Sequence, residues 1–181
     1  MIVKVLSLFL CLQLVDSCRL RCRNRTQCDD GWTYYKRNTT GWCMKVFVGN
    51  VNLTEAKAVC SGVGAVMSSI DDGKMYNSAA NLLASTSASS TWLGAELKSE
   101  CQCGASQCPV TSNCGPNGYY WTDGFTTSNN LILNNLIVTQ IDANGQSNYV
   151  IREGLTIFNG GLVALSSTNL TSVLCGKQSV N

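Results

Sequence analysis

Cys101, Cys103, Cys108 and Cys114 fall within the fourteen residues CQCGASQCPVTSNC. Thiols at this spacing can hold zinc when reduced, or close on one another as disulfides when oxidised. The chain contains no histidine, so a shared Cys/His site is excluded. The same absence removes Ser-His-Asp triads, Cys-His dyads and His-ligated zinc as routes to catalysis. Hydrolysis by two carboxylates would need a close acidic pair. The 11 acidic residues are scattered and no pair stands out. The reading is a non-enzyme, and whether the cysteines hold a metal or one another turns on compartment.

Residues 1–17, MIVKVLSLFLCLQLVDS, settle that expectation. Lys4 supplies a positive start, Val5 to Val15 is almost wholly apolar, and Val15 and Ser17 are small residues before a cut after Ser17. This is the pattern of a secretory leader, with an apolar run too short to span a bilayer. Cleavage removes Cys11 of the 11 cysteines and leaves an even number. In an oxidising compartment these are expected to form disulfides, not zinc sites. Four sequons fit secretion: Asn24-Arg-Thr, Asn38-Thr-Thr, Asn52-Leu-Thr and Asn169-Leu-Thr. Each requires an exposed loop or edge.

Roughly 164 residues remain, enough for one domain with a real core. The composition is 45% hydrophobic and 13% charged, and two prolines exclude a mucin-like or collagenous segment. No second apolar stretch is long enough for a membrane span, because Leu131 to Ile141 is broken by Asn134, Asn135 and Gln140 and reads as strand. Residues 18–27 form a cysteine- and arginine-rich arm in which Arg19, Arg21, Arg23 and Arg25 alternate. Such an arm is either a solvated extension or a contact for anionic surfaces.

From residue 28 the elements can be placed. Trp32 to Tyr35 favours a strand, Asn38-Thr-Thr-Gly41 a turn, and Met44 to Val48 the return strand. Asn52-Leu-Thr-Glu55 is a capping box, followed by Ala56, Val59, Cys60 and Val63 on one helical face, with a stop at Gly62 or Gly64. Asp71 or Asp72 caps a second helix with Met75, Ala79, Leu82 and Leu83 inward. Thr91 to Leu97 is a buried strand, and Tyr119 to Gly124 a strand ending in an Asp-Gly turn. Beyond Phe125 the chain is rich in Asn, Ser, Thr and Gly, with short apolar runs at 131–138, 149–151, 155–158 and 162–165, and a last strand at Val173 to Cys175.

In this order the residues resemble the C-type lectin-like domains, in particular small secreted members abundant in nematodes. The likeness covers residues 28–177: Cys28, Gly31-Trp-Thr-Tyr-Tyr35 and Cys43; Ala56-x3-Cys60, Gly64-Ala65 and Ile70; Trp92-Leu-Gly-Ala95; Trp121-Thr-Asp-Gly124; and Leu174-Cys-Gly-Lys177. The resemblance implies an α+β domain over 28–181, with two helices flanking small antiparallel sheets, a long irregular loop region and disulfide staples. It implies the pairs Cys28–Cys43 and Cys60–Cys175, the latter worth on the order of 3–5 kcal/mol. Cys18, Cys22, Cys101, Cys103, Cys108 and Cys114 remain, and the sequence does not choose their connectivity. Trp92 and Trp121 are implied as core anchors.

Sugar-binding members of this family hold calcium between a long loop carrying Glu-Pro-Asn or Gln-Pro-Asp and a strand carrying Trp-Asn-Asp. Calcium takes about six to eight oxygen ligands. The nearest match here is Gly145-Gln-Ser-Asn148, with Ser147 where the family has a cis proline. A non-proline cis bond costs about 3 kcal/mol. Leu162 to Leu174 contains no Asp, Glu or Trp, and the only carboxylates after Phe125 are Asp142 and Glu153. The expectation is therefore a secreted binding protein without cofactor, calcium included. It would meet a glycan or protein ligand through the loop at about 126–165, with Asp142, Gln146, Asn148, Tyr149, Arg152 and Glu153 as candidate contacts. The resemblance implies no nucleic-acid partner and no membrane insertion, and suggests innate defence. The alternatives are a calcium-dependent lectin using Gln146, Asn148, Asp142 and Glu153, and a cationic effector acting through the arginine arm.

Overall fold

A computed structural model of the chain describes residues 28–37, 40–101, 116–137, 140–141, 147–148, 154–158, 161–165 and 169–180. The expected leader, the arginine arm, and Cys103, Cys108 and Cys114 lie outside these residues.

The domain opens with a hairpin of β1 (Thr33–Lys36) and β2 (Gly41–Val51), in which Tyr34 faces Cys43 and Lys36 faces Gly41. A Cys28–Cys43 disulfide ties the entering chain to β2. Helix α1 (Leu53–Gly62) starts at the expected capping box: the Glu55 amide donates to Asn52 Oδ1 at 2.9 Å, and the Asn52 amide donates to Glu55 Oε2 at 2.9 Å. Each bond satisfies an amide that the first helical turn would otherwise leave unpaired. Ala56 and Cys60 point inward. Val63, expected on that face, is instead the exposed C-cap, because the chain turns away at Gly64 with φ +65°.

After β3 (Val66–Met67), Asp72 caps α2 (Gly73–Ala84) by accepting from the Met75 amide at 2.7 Å. Met75, Ala79 and Leu83 are buried, and Leu82 packs half-buried against the same core. Strand β4 (Ser90–Leu97) precedes a 3-10 turn at Ser99–Cys101. A second 3-10 turn, Pro116–Gly118, leads into β5 (Tyr119–Trp121). Then come α3 (Asn130–Asn135), β6 (Leu136–Ile137), β7 (Gln140–Ile141), β8 (Ser147–Asn148), β9 (Gly154–Phe158), β10 (Gly161–Leu165) and β11 (Leu170–Gln178).

The pairings are mostly antiparallel, as expected, but they join into one sheet of nine strands instead of several small ones. Its order is β1-β2-β11-β4-β9-β10-β6, with β3 on β11 and β5 on β4; β7 and β8 form a separate ribbon. The β11–β4 and β10–β6 contacts are parallel, so the sheet is mixed. Period-2 alternation sends adjacent residues to opposite faces. Trp92 belongs to a cluster with Ala56, Cys60, Val173 and Cys175, under α1. Its neighbour Leu93 belongs to the larger cluster with Trp42, Met44, Met75 and Leu174, under α2. The two helices thus flank the sheet, and Cys60–Cys175 bolts α1 to β11. Cys101 is also disulfide-bonded, to a partner outside the described residues.

The run Leu131 to Ile141, expected as strand, begins as helix α3 over Asn130–Asn135 and becomes strand only at Leu136. The physical reason is local burial: Leu131 and Ile132, neighbours in sequence, are both buried. A strand would send them to opposite faces, whereas a helix turns both toward one core.

Gly94, in Trp92-Leu-Gly-Ala95, is fixed by close approach. Its amide donates to the Ser68 carbonyl at 2.9 Å, and a Cβ there would lie 2.8 Å from the Met67 carbonyl carbon and 3.2 Å from that of Ser68. Those atoms are backbone, so they cannot swing aside. Gly94→Ala is expected to destabilise the domain by about 1–3 kcal/mol, the usual range for overpacking. A shift of the urea midpoint without a change of slope would report this; an unmoved midpoint would show that β3 and β4 are not held as described.

Candidate functional site

The expected binding segment leaves the sheet after β5. Trp121, the core anchor of β5, donates from Nε1 to the Ser128 carbonyl at 3.0 Å, and Asn129 Nδ2 donates to the Tyr119 carbonyl at 3.0 Å. These two bonds hold 128–129 against β5 and set the direction in which α3 departs. Large apolar side chains are exposed along this departure, among them Tyr120, 43% exposed on β5, and Leu133, 44% exposed on α3. The sequence reading singled out neither, although Tyr120 alternates between the buried Tyr119 and Trp121 and so must face outward.

Of the candidate contacts, the structure places only Asn148, in β8 opposite Gln140 of β7. Ser147 stands opposite Ile141. Asp142, Gln146, Tyr149, Arg152 and Glu153 lie outside the described residues. The chain returns to β4 at Gly154, whose Cα partner is Glu96. Glu96 is engaged with Lys57 of α1, at 2.9 Å.

Strands β9 and β10 close the segment, and their side chains determine what its earlier part can be paired with. Thr156 is the only residue of Gly154–Phe158 with a side-chain oxygen; it is buried and donates to the Thr91 carbonyl at 2.6 Å. Gly161–Leu165 has no side-chain oxygen, and Leu162, Val163 and Ala164 are buried. Among the described residues no three Asp, Glu, Cys or His side chains gather as a metal site. Nor is any helix among them long and apolar enough to cross a membrane.

Below the segment's start lies a buried ionic cluster. Arg37, just past β1, reaches Asp123 with Nη1 at 2.7 Å, and the side chains are 3% and 0% exposed. Arg37 Nη2 donates to the Ser69 carbonyl at 3.1 Å and to its hydroxyl at 3.2 Å, while the guanidinium stacks 3.9 Å from the Trp42 ring centroid. Asp123 accepts further bonds from the Ser69 hydroxyl, from the Phe125 amide at 3.0 Å, and from the Thr126 amide at 2.9 Å and hydroxyl at 3.2 Å. Burial alone would push this carboxyl up, but the Ser69, Thr126, Arg37 and Phe125 donors outweigh it and hold it below the usual carboxylate value. With its oxygens committed, Asp123 is no acid, base or metal ligand. It clamps residues 123–126 to the first hairpin and to the strand-to-helix turn at Ser69. Sequence reasoning saw the Trp-Thr-Asp-Gly motif but not the arginine it needs.

A second surface lies beside Cys28, where the arginine arm joins the domain. Lys177 sits 4.5 Å from the Trp32 ring centroid and pairs with Asp29; Lys45 sits 5.4 Å from the Phe47 ring, which meets Trp32 edge-on at 5.9 Å.

A family model described as C-type lectin domain-containing protein 141/158 matches residues 32–180. Three solved structures show the breadth of the likeness. A Ca2+-dependent type II antifreeze protein in its Ca2+-free form aligns with a TM-score of 0.55 at 19% identity, covering 83% of this chain and 99% of that one. The cow C-type carbohydrate-recognition domain of CD23, in the presence of GlcNAc2Man3 oligosaccharide, aligns at 0.53 and 14% identity, covering 85% and 98%. The Ca2+-independent C-type lectin SPL-2 from Saxidomus purpuratus aligns at 0.54 and 19% identity, covering 83% and 93%. No curated protein sequence matches the chain. At these identities the structures speak for the fold.

Proposed function

The chain belongs to the C-type lectin domain-containing protein 141/158 family, and from that premise we propose that it is a secreted, calcium-independent binding protein. Its ligand, a glycan or a protein, is met by the segment at about 126–165, in a setting such as innate defence. The observation that carries the calcium-independent part is β10: its five residues offer no side-chain oxygen and three of them fill the core. A divalent cation that needs about six to eight oxygens would have to be held by the loop alone. The fold itself accommodates either mode, since it is shared with both the Ca2+-independent lectin SPL-2 and the Ca2+-dependent antifreeze protein. Binding, not catalysis, is the activity this surface supports.

A second reading, attraction of anionic surfaces through Arg19, Arg21, Arg23 and Arg25, is favoured by one observation. Lys45 and Lys177 share the sheet face with Cys43, which tethers Cys28 and so the end of the arm.

One experiment separates these readings. The secreted protein is applied to a glycan array in calcium, in excess chelator and in raised salt, with thermal melts alongside. The expected result is a binding profile unchanged by chelator and a Tm unmoved by calcium. A cation held at a hundred times its Kd would add about 2.7 kcal/mol, a shift of several degrees that could not be missed. Loss of binding in chelator together with a calcium-raised Tm would overturn the calcium-free reading. Binding only to anionic glycans and lost in salt would transfer the function to the arm. No glycan bound in any condition would make the ligand a protein.

A further inference from the structure

Two of the four sequons, far apart in sequence, begin at neighbouring strand ends. Strands β2 and β11 run antiparallel, and the outermost pair of their ladder is Val51 opposite Leu170. The next residue outward on each strand is the sequon asparagine: Asn52 after Val51, Asn169 before Leu170. Directly opposed residues such as Val51 and Leu170 lie about 4.5–5.5 Å apart at Cα in an antiparallel pair, so the two asparagines leave the ladder from adjacent strand ends. Asn169 is exposed, and Thr54 of the other sequon is exposed beside a half-buried Asn52. The capping contacts of Asn52 use Oδ1 and the backbone amide, so Nδ2 stays outside them.

Register also says which end of the sheet this is. On β4, Ser90 pairs with Phe158 and, six residues on, Glu96 pairs with Gly154, where the long segment returns. Strand β11 runs parallel to β4 with Val173 beside Trp92, and the Thr171 hydroxyl donates to the Ser90 carbonyl at 3.1 Å. Leu170, and with it Val51, therefore stands at the Ser90 end, away from Gly154. That end also exposes Val48, 56% accessible and opposite Ser172, and Phe158, 43% accessible and opposite Ser90. These are large apolar side chains with nothing described to cover them.

We propose that Asn52 and Asn169 both carry N-linked glycans, which together cap the Ser90–Phe158 end of the sheet, cover Val48 and Phe158, and leave the opposite, Gly154 end free. The inference rests on secretion, since the reaction belongs to the secretory route. In it, the Asn Nδ2 attacks the anomeric carbon of an oligosaccharide carried on a lipid diphosphate. The new C–N bond replaces the C–O bond to the diphosphate, the lipid diphosphate leaves, and one amide proton is lost. The carbonyl oxygen is untouched, so the glycosylated Asn52 still caps α1. In the fold, the Thr171 hydroxyl is taken up by Ser90, and the Ser89 and Ser90 amides each donate to it at 3.1 Å. Transfer to Asn169 thus precedes the docking of β11.

The test uses the full chain expressed in a secreting eukaryotic cell. Peptide N-glycosidase treatment in 18O-water converts each glycan-bearing asparagine to a labelled aspartate, located by peptide mass spectrometry. Labels at both Asn52 and Asn169 are expected, with Asn52→Gln and Asn169→Gln each removing one glycan mass. Native deglycosylation should raise the fluorescence of 1-anilinonaphthalene-8-sulfonate severalfold, and the rise should vanish in a Val48→Thr/Phe158→Thr variant. A secreted protein labelled at neither or only one of the pair overturns the twin cap while secretion stands. An intracellular protein with no label at any sequon overturns both. Paired labels without a dye response overturn the covering of Val48 and Phe158.

Discussion

Asp123→Ala is expected to lower the unfolding free energy by about 3–5 kcal/mol, the cost of leaving a buried charge without its partner. The charge left behind is Arg37, whose side chain is 3% exposed and whose Nε already lacks a hydrogen-bond partner among the described residues. The Ser69 and Thr126 hydroxyls and the Phe125 and Thr126 amides lose their acceptor at the same stroke. Replacing both charges, as Arg37→Met with Asp123→Leu, should recover stability relative to either single change, because a buried pair can be exchanged for apolar packing at little net cost. Urea denaturation at neutral pH of the three variants forms a double-mutant cycle. A loss below about 1 kcal/mol for Asp123→Ala would place the pair in water and outside the core. The wild type also carries a pH signature. The folded carboxyl titrates below the unfolded value of 3.8, so the unfolded chain takes up the proton first as the pH drops. The contribution is complete above about pH 4 and is lost as the pH falls through the folded value. In Asp123→Asn that acid dependence should be flattened.

The same cluster shows where sequence legibility ended. Elements written in a few consecutive residues could be read directly. The capping box at Asn52, a cap at Asp71 or Asp72, a stop at Gly62 or Gly64 and a strand over Thr91–Leu97 each depend on contacts within a turn or on period-2 burial, and the structure takes Asp72 for the cap. The disulfide Cys28–Cys43 could be offered as a tie of the first hairpin, whereas Cys60–Cys175 joins distant elements and was accessible only through the family resemblance. Arg37 and Asp123 are 86 residues apart, and no periodicity relates them. Helix α3 failed for a related reason. Its apolar pair Leu131–Ile132 fits helix or strand equally, and the decision lies in the burial of both against one core, which the sequence does not show. Joining the strands into one mixed sheet depends on the parallel β11–β4 contact, made between the last strand and one in the middle of the chain. Of the binding segment, composition could say which atoms are absent from β10, and the burial of Leu162, Val163 and Ala164 explains why apolar residues occupy it. Composition cannot aim side chains, and of the six proposed contacts the fold places Asn148 alone, as a partner of Gln140.

Removing Cys60–Cys175 is expected to be the costliest single covalent change, by about 4–5 kcal/mol on the loop-closure model. The bridge closes a sequence separation of 115 residues, against 15 for Cys28–Cys43. The shorter loop should be worth about 3 kcal/mol on the same model. The surroundings act in the same direction. Cys60 and Cys175 are fully buried in the cluster with Ala56, Trp92 and Val173, so Cys60→Ala/Cys175→Ala also leaves unfilled volume under α1. Cys28 lies where the chain enters the first hairpin, and its loss frees mainly the segment before β1. The ordering of the two double variants by denaturant midpoint, at fixed slope, is therefore the decisive quantity. If the variant lacking Cys28–Cys43 were the less stable, β11 and α1 would be held by packing alone. Stability would then be concentrated in the first hairpin, where Arg37 and Trp42 hold the turn at Asp123. The expected order instead makes the joining of α1 to the last strand the step that fixes the sheet, and hence the end at which Asn52 and Asn169 leave adjacent strands.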